Sequence, residues 1–286
     1  MQCPGQQQRD QQRAADSARQ AQFAYDEAVD FGQIRFLRSF RSINFALARA
    51  VNWRLPIAFR QSFQDLYAQR VSEFANRLRG GCLVDVGAGF ILPAARYGQL
   101  DRRMSTLGMD ISEAALRKNR DVGQRLVADA CQTWPLDDAC ADMVISRSVI
   151  EHLYDTEKFA SECRRVLKPG GRSVHLLPGR NAPFSVLNRL LPNRVSQRLL
   201  YWAFPHKEEE LGFPAYYQNC AYPAILELFA RHGLEVESVE FRYYQSTYFS
   251  VFFPAYLVSL AYDLLIWKLG IRRLSSQLLV VLRRVD

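Results

Sequence analysis

The chain has 286 residues, of which 49% are hydrophobic and 23% charged, and its net charge is +8. This composition is typical of a folded globular protein and excludes a chain that is disordered throughout. The positive charge favours an anionic partner, such as a membrane surface or a phosphorylated compound, although it equally serves solubility.

The six cysteines form no C-x-x-C pair and have no histidines at zinc-binding spacing, so the sequence predicts no metal site. Free thiols favour a reduced, cytoplasmic chain. Residues 1–22 are rich in Gln, Arg and Ala and lack an apolar run. We expect them to form a disordered or loosely helical tail without a signal peptide.

Residues 23–79 are predicted to form N-terminal helices that act as a cap or lid. Apolar side chains recur there at helical steps of four, three and four residues, at Phe36, Phe40, Ile43 and Leu47. The segment Phe31–Arg60 is rich in arginine and has no acidic residue. A further helix is predicted over Ile57–Arg79, bent near Pro56.

From residue 80 onward, predicted strands alternate with predicted helices, which is typical of an α/β domain with a parallel sheet. The predicted strands are Cys82–Val86, Thr106–Ile111, Leu126–Ala128, Asp142–Ser146, Ser173–Leu177, Leu234–Tyr244 and Ser276–Val285. Two insertions interrupt this alternation. Residues 178–217 are rich in proline and predict a helical lid, and residues 245–275 contain a long apolar stretch.

The first strand ends in Gly87-Ala88-Gly89. A glycine turn before a helix lets the backbone approach a ligand closely and presents amides to an anionic group. Several cofactor-binding folds share this feature. Leu92 stands where a dinucleotide site has Gly or Ala, and Asp85 would repel a pyrophosphate but suits an ammonium or a sulfonium.

Carboxylates follow or end three successive predicted strands, at Asp85, Asp110 and Asp129. Each alone is equally explained as a helix cap or turn residue. Together they converge on the crevice where open α/β sheets bind ligands. There Asp110 is placed to accept two ribose hydroxyls, and Asp129 to accept an adenine amino group.

Residues 83–177 resemble the class I S-adenosylmethionine (SAM)-dependent methyltransferases, especially those that methylate quinone precursors, sterols and small metabolites. The matching motifs are Leu83–Gly89, Gly108–Ser112, Val127–Ala130, Pro135–Asp138, Ala141–Ser146, Val149–Leu153 and Arg165–Gly171. One departure is Ile91, where many members have a third glycine. The resemblance implies a Rossmann-like, seven-stranded, mostly parallel sheet with helices on both faces, spanning residues 80–286.

The resemblance also implies SAM as cofactor and S-adenosylhomocysteine (SAH) as product. The residues that would hold SAM are Asp85, Gly87, Ala88, Gly89, Asp110, Ile111, Asp129, Ala130, Ser146 and Arg147.

Methyl transfer from a sulfonium requires a positioned nucleophile and, for a hydroxyl acceptor, a base. His152 is the first candidate base, with a structural histidine as the alternative, and Glu151 and Tyr217 are weaker candidates. We expect a small or lipid-like acceptor, with O-methylation preferred over C-methylation.

The apolar stretch Phe249–Trp267 is long enough to be considered as a membrane span. Pro254, Asp263 and the strand that follows argue against spanning. The stretch is expected either to lie at the inner face of an anionic membrane, where Lys268 and the arginine-rich helix fit, or to pack on the N-terminal helices. No nucleic-acid recognition motif accompanies the arginines.

Two alternatives stay open at this point. A catalytically silent, methyltransferase-like scaffold at a membrane would keep the motifs without turnover. A nicotinamide-dependent oxidoreductase would share the glycine turn but is disfavoured by Asp85 and Leu92.

Overall fold

The computed structural model of the protein describes residues 35–97, 100–192, 195, 198 and 214–285. The predicted tail, residues 1–22, and the part of the predicted lid at 199–213 lie outside these residues. The described residues form two compact units. The larger one comprises 57–182, 216–243 and 269–285, and the smaller one the described parts of 1–56, 183–215 and 244–268.

A seven-stranded sheet forms the centre of the larger unit. Its strands are β1 (Gly81–Val86), β2 (Met104–Asp110), β3 (Gln124–Val127), β4 (Ala141–Arg147), β5 (Leu167–Pro178), β6 (Leu234–Arg242) and β7 (Gln277–Arg284). The order across the sheet is β3-β2-β1-β4-β5-β7-β6. Strand β7 runs antiparallel to β5 and β6, and the remaining pairs are parallel. The predicted Rossmann-like, mostly parallel α/β sheet is confirmed.

The α-helices are α1 (Arg35–Asn52), α2 (Ile57–Arg60), α3 (Phe63–Arg77), α4 (Pro93–Tyr97), α5 (Glu113–Lys118), α6 (Thr156–Val166), α7 (Pro183–Leu190), α8 (Ala224–Arg231) and α9 (Phe253–Leu269). The helix predicted over 57–79 is thus two helices. It divides because the Ser62 side chain accepts a hydrogen bond from the Asp65 amide and so caps the start of α3.

Helices cover both faces of the sheet. On one face, Tyr67 and Val71 of α3 pack into a core that includes Leu83 and Ile145. On the other face, the buried His175 ring of β5 stacks on Phe229 of α8, with 5.2 Å between ring centroids. The side chains of successive residues in a strand point to opposite faces of the sheet. Two consecutive residues of β4, or of β5, therefore face helices on opposite sides of the sheet.

In the smaller unit, α1 packs against the start of α9. The Asn44 side-chain oxygen accepts a hydrogen bond from the Phe253 amide (2.7 Å), and that of Asn52 accepts one from the Tyr256 hydroxyl (2.6 Å). Helix α9 has 17 residues. Within the described residues, no helix combines the length and the hydropathy required to cross a bilayer.

Candidate active site

The loop after β1 is held by β2 at the carboxyl edge of the sheet. The amides of Gly87 and Ala88 both donate to the Met109 carbonyl, at 2.7 and 3.1 Å. Gly87 and Gly89 have left-handed backbones, with φ of 69° and 49°. A Cβ on Gly87 would lie 2.2 Å from Val149 Cγ2, whereas a Cβ on Gly89 would meet no atom within 4 Å. Gly87 is therefore required by packing, and Gly89 borders open space.

Asp110, the last residue of β2, holds this loop from the other side. Its Oδ2 accepts a hydrogen bond from the Gly89 amide (2.9 Å), and its Oδ1 accepts one from the Ser112 amide (2.8 Å). Each carboxylate oxygen keeps a second lone pair, so both still have the capacity to accept from a ribose diol. The neighbouring Ile111 side chain is apolar and 54% exposed.

Asp85 is a buried carboxyl near the end of β1, with only 3% of its surface exposed. Burial raises the pKa of Asp85 to about 8, and the positive charge of Arg147 opposes this shift. A carboxyl in this environment ionises readily when a further cation stands beside it, because the added charge replaces lost solvation. Asp85 is thus suited to receive an ammonium group.

Helix α3 adds two polar side chains to this region that the sequence did not single out. Arg147 donates a hydrogen bond to the Gln64 side-chain oxygen. The Tyr67 hydroxyl is fully buried and has no hydrogen-bond partner among the described residues. Burial raises the pKa of Tyr67, and the negative charge of Asp85 raises it further. The sequence does contain a signal for Tyr67. It lies four residues from both Phe63 and Val71, so its hydroxyl belongs to the otherwise apolar face of the helix.

The turn after β3 fixes Asp129 and Ala130. Asp129 accepts hydrogen bonds from the Cys131 amide and the Tyr154 hydroxyl, both at 2.8 Å. The Ala130 carbonyl accepts one from the Trp134 indole N–H at 3.2 Å. Asp129 remains partly exposed, so this turn presents a fixed carboxylate with unused lone pairs.

The three candidate catalytic residues lie together after β4. Ile150–His152 form a short 3₁₀ helix, and the Glu151 carbonyl accepts hydrogen bonds from the amides of Tyr216 and Tyr217, at 2.7 and 3.0 Å. Glu151 is buried, with Oε1 3.9 Å from His152 Nε2. Its Oε2 has no hydrogen-bond partner among the described residues. Burial raises the pKa of Glu151, and the charge of His152 opposes the rise.

Ser146 and Arg147, predicted to border the methyl donor, point to opposite faces of β4. Arg147 lies beside Asp85. The Ser146 hydroxyl is fully buried and lies 2.8 Å from His175 Nδ1. Burial lowers the pKa of His175 to about 3, so its ring is neutral and the pair is a structural hydrogen bond. A role of Ser146 toward the donor stays a prediction.

These residues fit SAM better than a dinucleotide. The buried Asp85 suits the ammonium of SAM, and Gly89 leaves open space beside the loop. The Tyr67 hydroxyl has no hydrogen-bond partner among the described residues, and it lies within electrostatic range of Asp85. A pyrophosphate would meet the carboxyl of Asp85 and find no glycine at Leu92, whose side chain is completely buried. Asp110 and Asp129 keep lone pairs for the adenosine.

Comparison with known proteins gives the same assignment. A protein-family profile described as a methyltransferase domain matches residues 84–175. A probable SAM-dependent methyltransferase of Mycolicibacterium smegmatis is 32% identical over 173 residues, which cover 56% of this chain and 63% of the relative. A dimethylglycine N-methyltransferase of Parasynechococcus marenigrum is 36% identical over 107 residues, or 35% of this chain and 38% of that enzyme. The chain therefore spans less than two thirds of the length of these relatives.

Among solved structures, the [4+2]-cyclase SpnF superimposes with a TM-score of 0.51 at 20% identity, covering 77% of this chain and 81% of its own. This likeness concerns the fold alone, since one fold supports different reactions. The motifs, the matched domain and its relatives nevertheless agree. Residues 84–175 are therefore a methyltransferase domain similar to those of SAM-dependent methyltransferases, and SAM is the cofactor of this domain.

Proposed function

We propose that the protein transfers a methyl group from SAM to a small or lipid-like acceptor, with a hydroxyl preferred over a carbon nucleophile. The observation that supports this proposal is the Glu151–His152 pair after β4, in which a buried carboxylate lies 3.9 Å from a partly exposed imidazole. The partly exposed imidazole is accessible to an acceptor hydroxyl, whose proton it would take as a general base. The dimethylglycine N-methyltransferase described above acts on nitrogen, according to its name, and so does not support an oxygen acceptor. The preference for oxygen therefore rests on the Glu151–His152 pair.

When bound, SAM would supply an activated methyl group. Asp85 would hold its ammonium, Asp110 its ribose hydroxyls, and Asp129 with Ala130 its adenine. The loop Gly87–Gly89 gives the methionine end close access to the backbone. His152 would accept the proton of the acceptor hydroxyl and so make the hydroxyl oxygen a better nucleophile toward the methyl group. Glu151 stabilises the resulting imidazolium, and Tyr217 holds the Glu151 backbone in place.

A lipid-like acceptor is supported by the smaller unit, whose described helices combine arginines with exposed apolar side chains. This combination suits a cytoplasmic enzyme that works at the anionic inner face of a membrane.

The test is an acceptor search with the full chain and methyl-labelled SAM. Polar and lipid extracts are incubated separately, and SAH and labelled products are quantified by mass spectrometry. We expect SAH with the lipid extract, an O-linked methyl group in the product, and loss of both with Asp110→Ala. If SAM binds but no extract gives SAH above the blank, the catalytically silent scaffold is the correct function and the proposal is wrong.

A further inference from the structure

Helix α9 is apolar toward solvent, and its buried side combines apolar and polar side chains. Its buried residues are Tyr256, Leu260, Asp263 and Ile266. The Tyr256 hydroxyl donates to Asn52, and Asp263 accepts hydrogen bonds from the amides of Gln245 and Ser246, both at 2.8 Å. The Tyr256 hydroxyl and the Asp263 carboxylate are thus hydrogen-bonded inside the unit, whereas an ordinary surface helix turns its polar side chains to solvent.

The exposed face of α9 consists of residues spaced three and four apart, which places them on one side of the helix. Val258 is 74% exposed, Leu265 is 56% exposed, and Leu257 and Ala261 are exposed as well. This face ends at Lys268, whose side chain is also exposed. An apolar face of this kind on a folded protein marks an interaction surface.

Helix α1 of the same unit repeats the arrangement. Its inward face carries Asn44 and Asn52, which bind the start of α9. On another face Ile43 and Leu47, four residues apart, are 60% and 45% exposed. Helices α1 and α9 therefore both expose apolar side chains.

The charge of the smaller unit indicates which partner this surface takes. Its one acidic residue among those described, Asp263, is fully buried. The basic residues with described side chains in this unit are Arg41, Arg49, Arg54, Arg189, Arg198 and Lys268. Among the described residues of this unit, exposed apolar side chains thus occur with cations and with no exposed anion. Such a surface complements a bilayer with anionic headgroups, where the cations contact phosphates and the apolar side chains enter the acyl boundary.

We propose that the exposed faces of α9 and α1 dock this protein on an anionic bilayer, with Val258 and Leu265 inserted at the headgroup–acyl boundary. This docking surface is where the enzyme would meet a lipid-like acceptor, so its biological role rests on the proposed function. Docking requires no membrane span and places only one side of each helix in lipid.

The experiment is vesicle sedimentation with the full chain. Vesicles of phosphatidylcholine alone are compared with vesicles containing one third phosphatidylglycerol, at low and at high salt. We expect binding to the anionic vesicles only, and weaker binding at high salt. The variant Val258→Glu/Leu265→Glu should bind at least tenfold more weakly. Val236→Glu, at an exposed apolar position of β6 in the larger unit, is the matched control and should bind like the wild type.

Both variants are checked for thermal unfolding and for SAH binding by calorimetry, so that misfolding is recognised. The proposal is overturned if the wild type does not bind anionic vesicles at low salt, or if the double variant binds as well as the wild type. It is also overturned if light scattering shows a dimer that the double variant dissociates, since the surface then joins two copies. SAH binding and turnover with a detergent-dispersed acceptor report on the methyltransferase site separately.

Discussion

Glu151 Oε1 lies 3.9 Å from His152 Nε2, although the carboxylate is buried and about a third of the imidazole side chain is exposed. Adjacent residues therefore occupy different environments: burial raises the pKa of Glu151, whereas the His152 side chain is partly exposed. A short 3₁₀ helix makes this possible, because it turns consecutive side chains in different directions.

Replacing His152 with Asn is expected to lower turnover by about 10²–10⁴-fold, the usual contribution of a general base. The free energy of unfolding should change by less than about 0.5 kcal/mol, since the side chain is partly exposed. Steady-state SAH production and chemical denaturation measure the two quantities. The control is His232→Asn, which changes a histidine bonded to Glu157 on α6. Unchanged turnover in His152→Asn would show that the acceptor needs no base.

The raised pKa of Asp85 predicts proton release when SAM binds. At pH 6 the buried carboxyl is protonated, because its pKa is about 8. The amino group of SAM is already charged at that pH, so an ammonium beside Asp85 should expel the carboxyl proton. Calorimetry in buffers of different ionisation enthalpy measures the protons released. We expect close to one for the wild type and none for Asp85→Asn; equal release by both would exclude Asp85 as the ammonium partner.

Asp110→Ala should weaken SAM binding by about 10–100-fold, because charge-assisted hydrogen bonds contribute about 1.5–3 kcal/mol. Two causes contribute to this loss of affinity: the missing hydrogen bonds to SAM, and the missing hydrogen bond from the Gly89 amide, which orders the loop. Asp110→Asn keeps one acceptor oxygen, so its affinity for SAM should lie between that of Asp110→Ala and that of the wild type. Glu113→Ala removes an exposed carboxylate of α5 and serves as the control. Titration calorimetry decides, and wild-type affinity in Asp110→Ala would contradict the ribose assignment.

Gly87→Ala and Gly89→Ala should separate stability from ligand binding. In Gly87→Ala the new methyl group would overlap Val149, and we expect a loss of about 2–4 kcal/mol of unfolding free energy. Gly89→Ala meets no atom and should lose about 1 kcal/mol from its left-handed backbone alone, while SAM binding suffers. Adding Val149→Ala should restore part of the stability of Gly87→Ala. Equal losses in the two single variants would refute the packing argument.

The buried His175 predicts a loss of stability in mild acid. Its folded pKa of about 3 lies below the ordinary value of 6.5, so between these values only the unfolded chain takes up the proton. The contribution of His175 to the free energy of unfolding is fully present above pH 6.5. It falls as the pH drops, by up to about 1.4 kcal/mol per pH unit. In His175→Phe/Ser146→Ala the ring contact with Phe229 is kept and no hydrogen-bonding group is orphaned. Denaturation from pH 7 to 4 should show a shallower decline in this variant, and an identical decline would assign the acid sensitivity to other groups.

The strand and the glycine turn of the candidate donor site were predictable because their signals are local. Strand β1 and its glycine turn lie within nine residues of sequence, 81–89, and the predicted strand differs from the observed one by a single residue. Asp110 and Asp129 follow neighbouring parallel strands, so their convergence follows from topology.

The features that were not predictable depend on tertiary packing. Periodicity places Tyr67 on the inward face of α3 but cannot say that this face covers Asp85. Strand β5 begins at Leu167, six residues before its predicted start, because a register shift between Ala141 and Met143 of β4 lets it continue the pairing. Such an irregularity has no signature in a single sequence.

The position of β7 has a consequence for the order of events during synthesis. In the sheet, β6 pairs with β7 alone, and β7 in turn joins it to β5. The ribosome makes β6 about forty residues before β7, counting from 234–242 to 277–284. Until those later residues emerge, β6 has no neighbour and the exposed edge of β5 is open to pairing with other chains. The pairing of β7 with β5 and β6 therefore takes place only after 277–284 have left the ribosome.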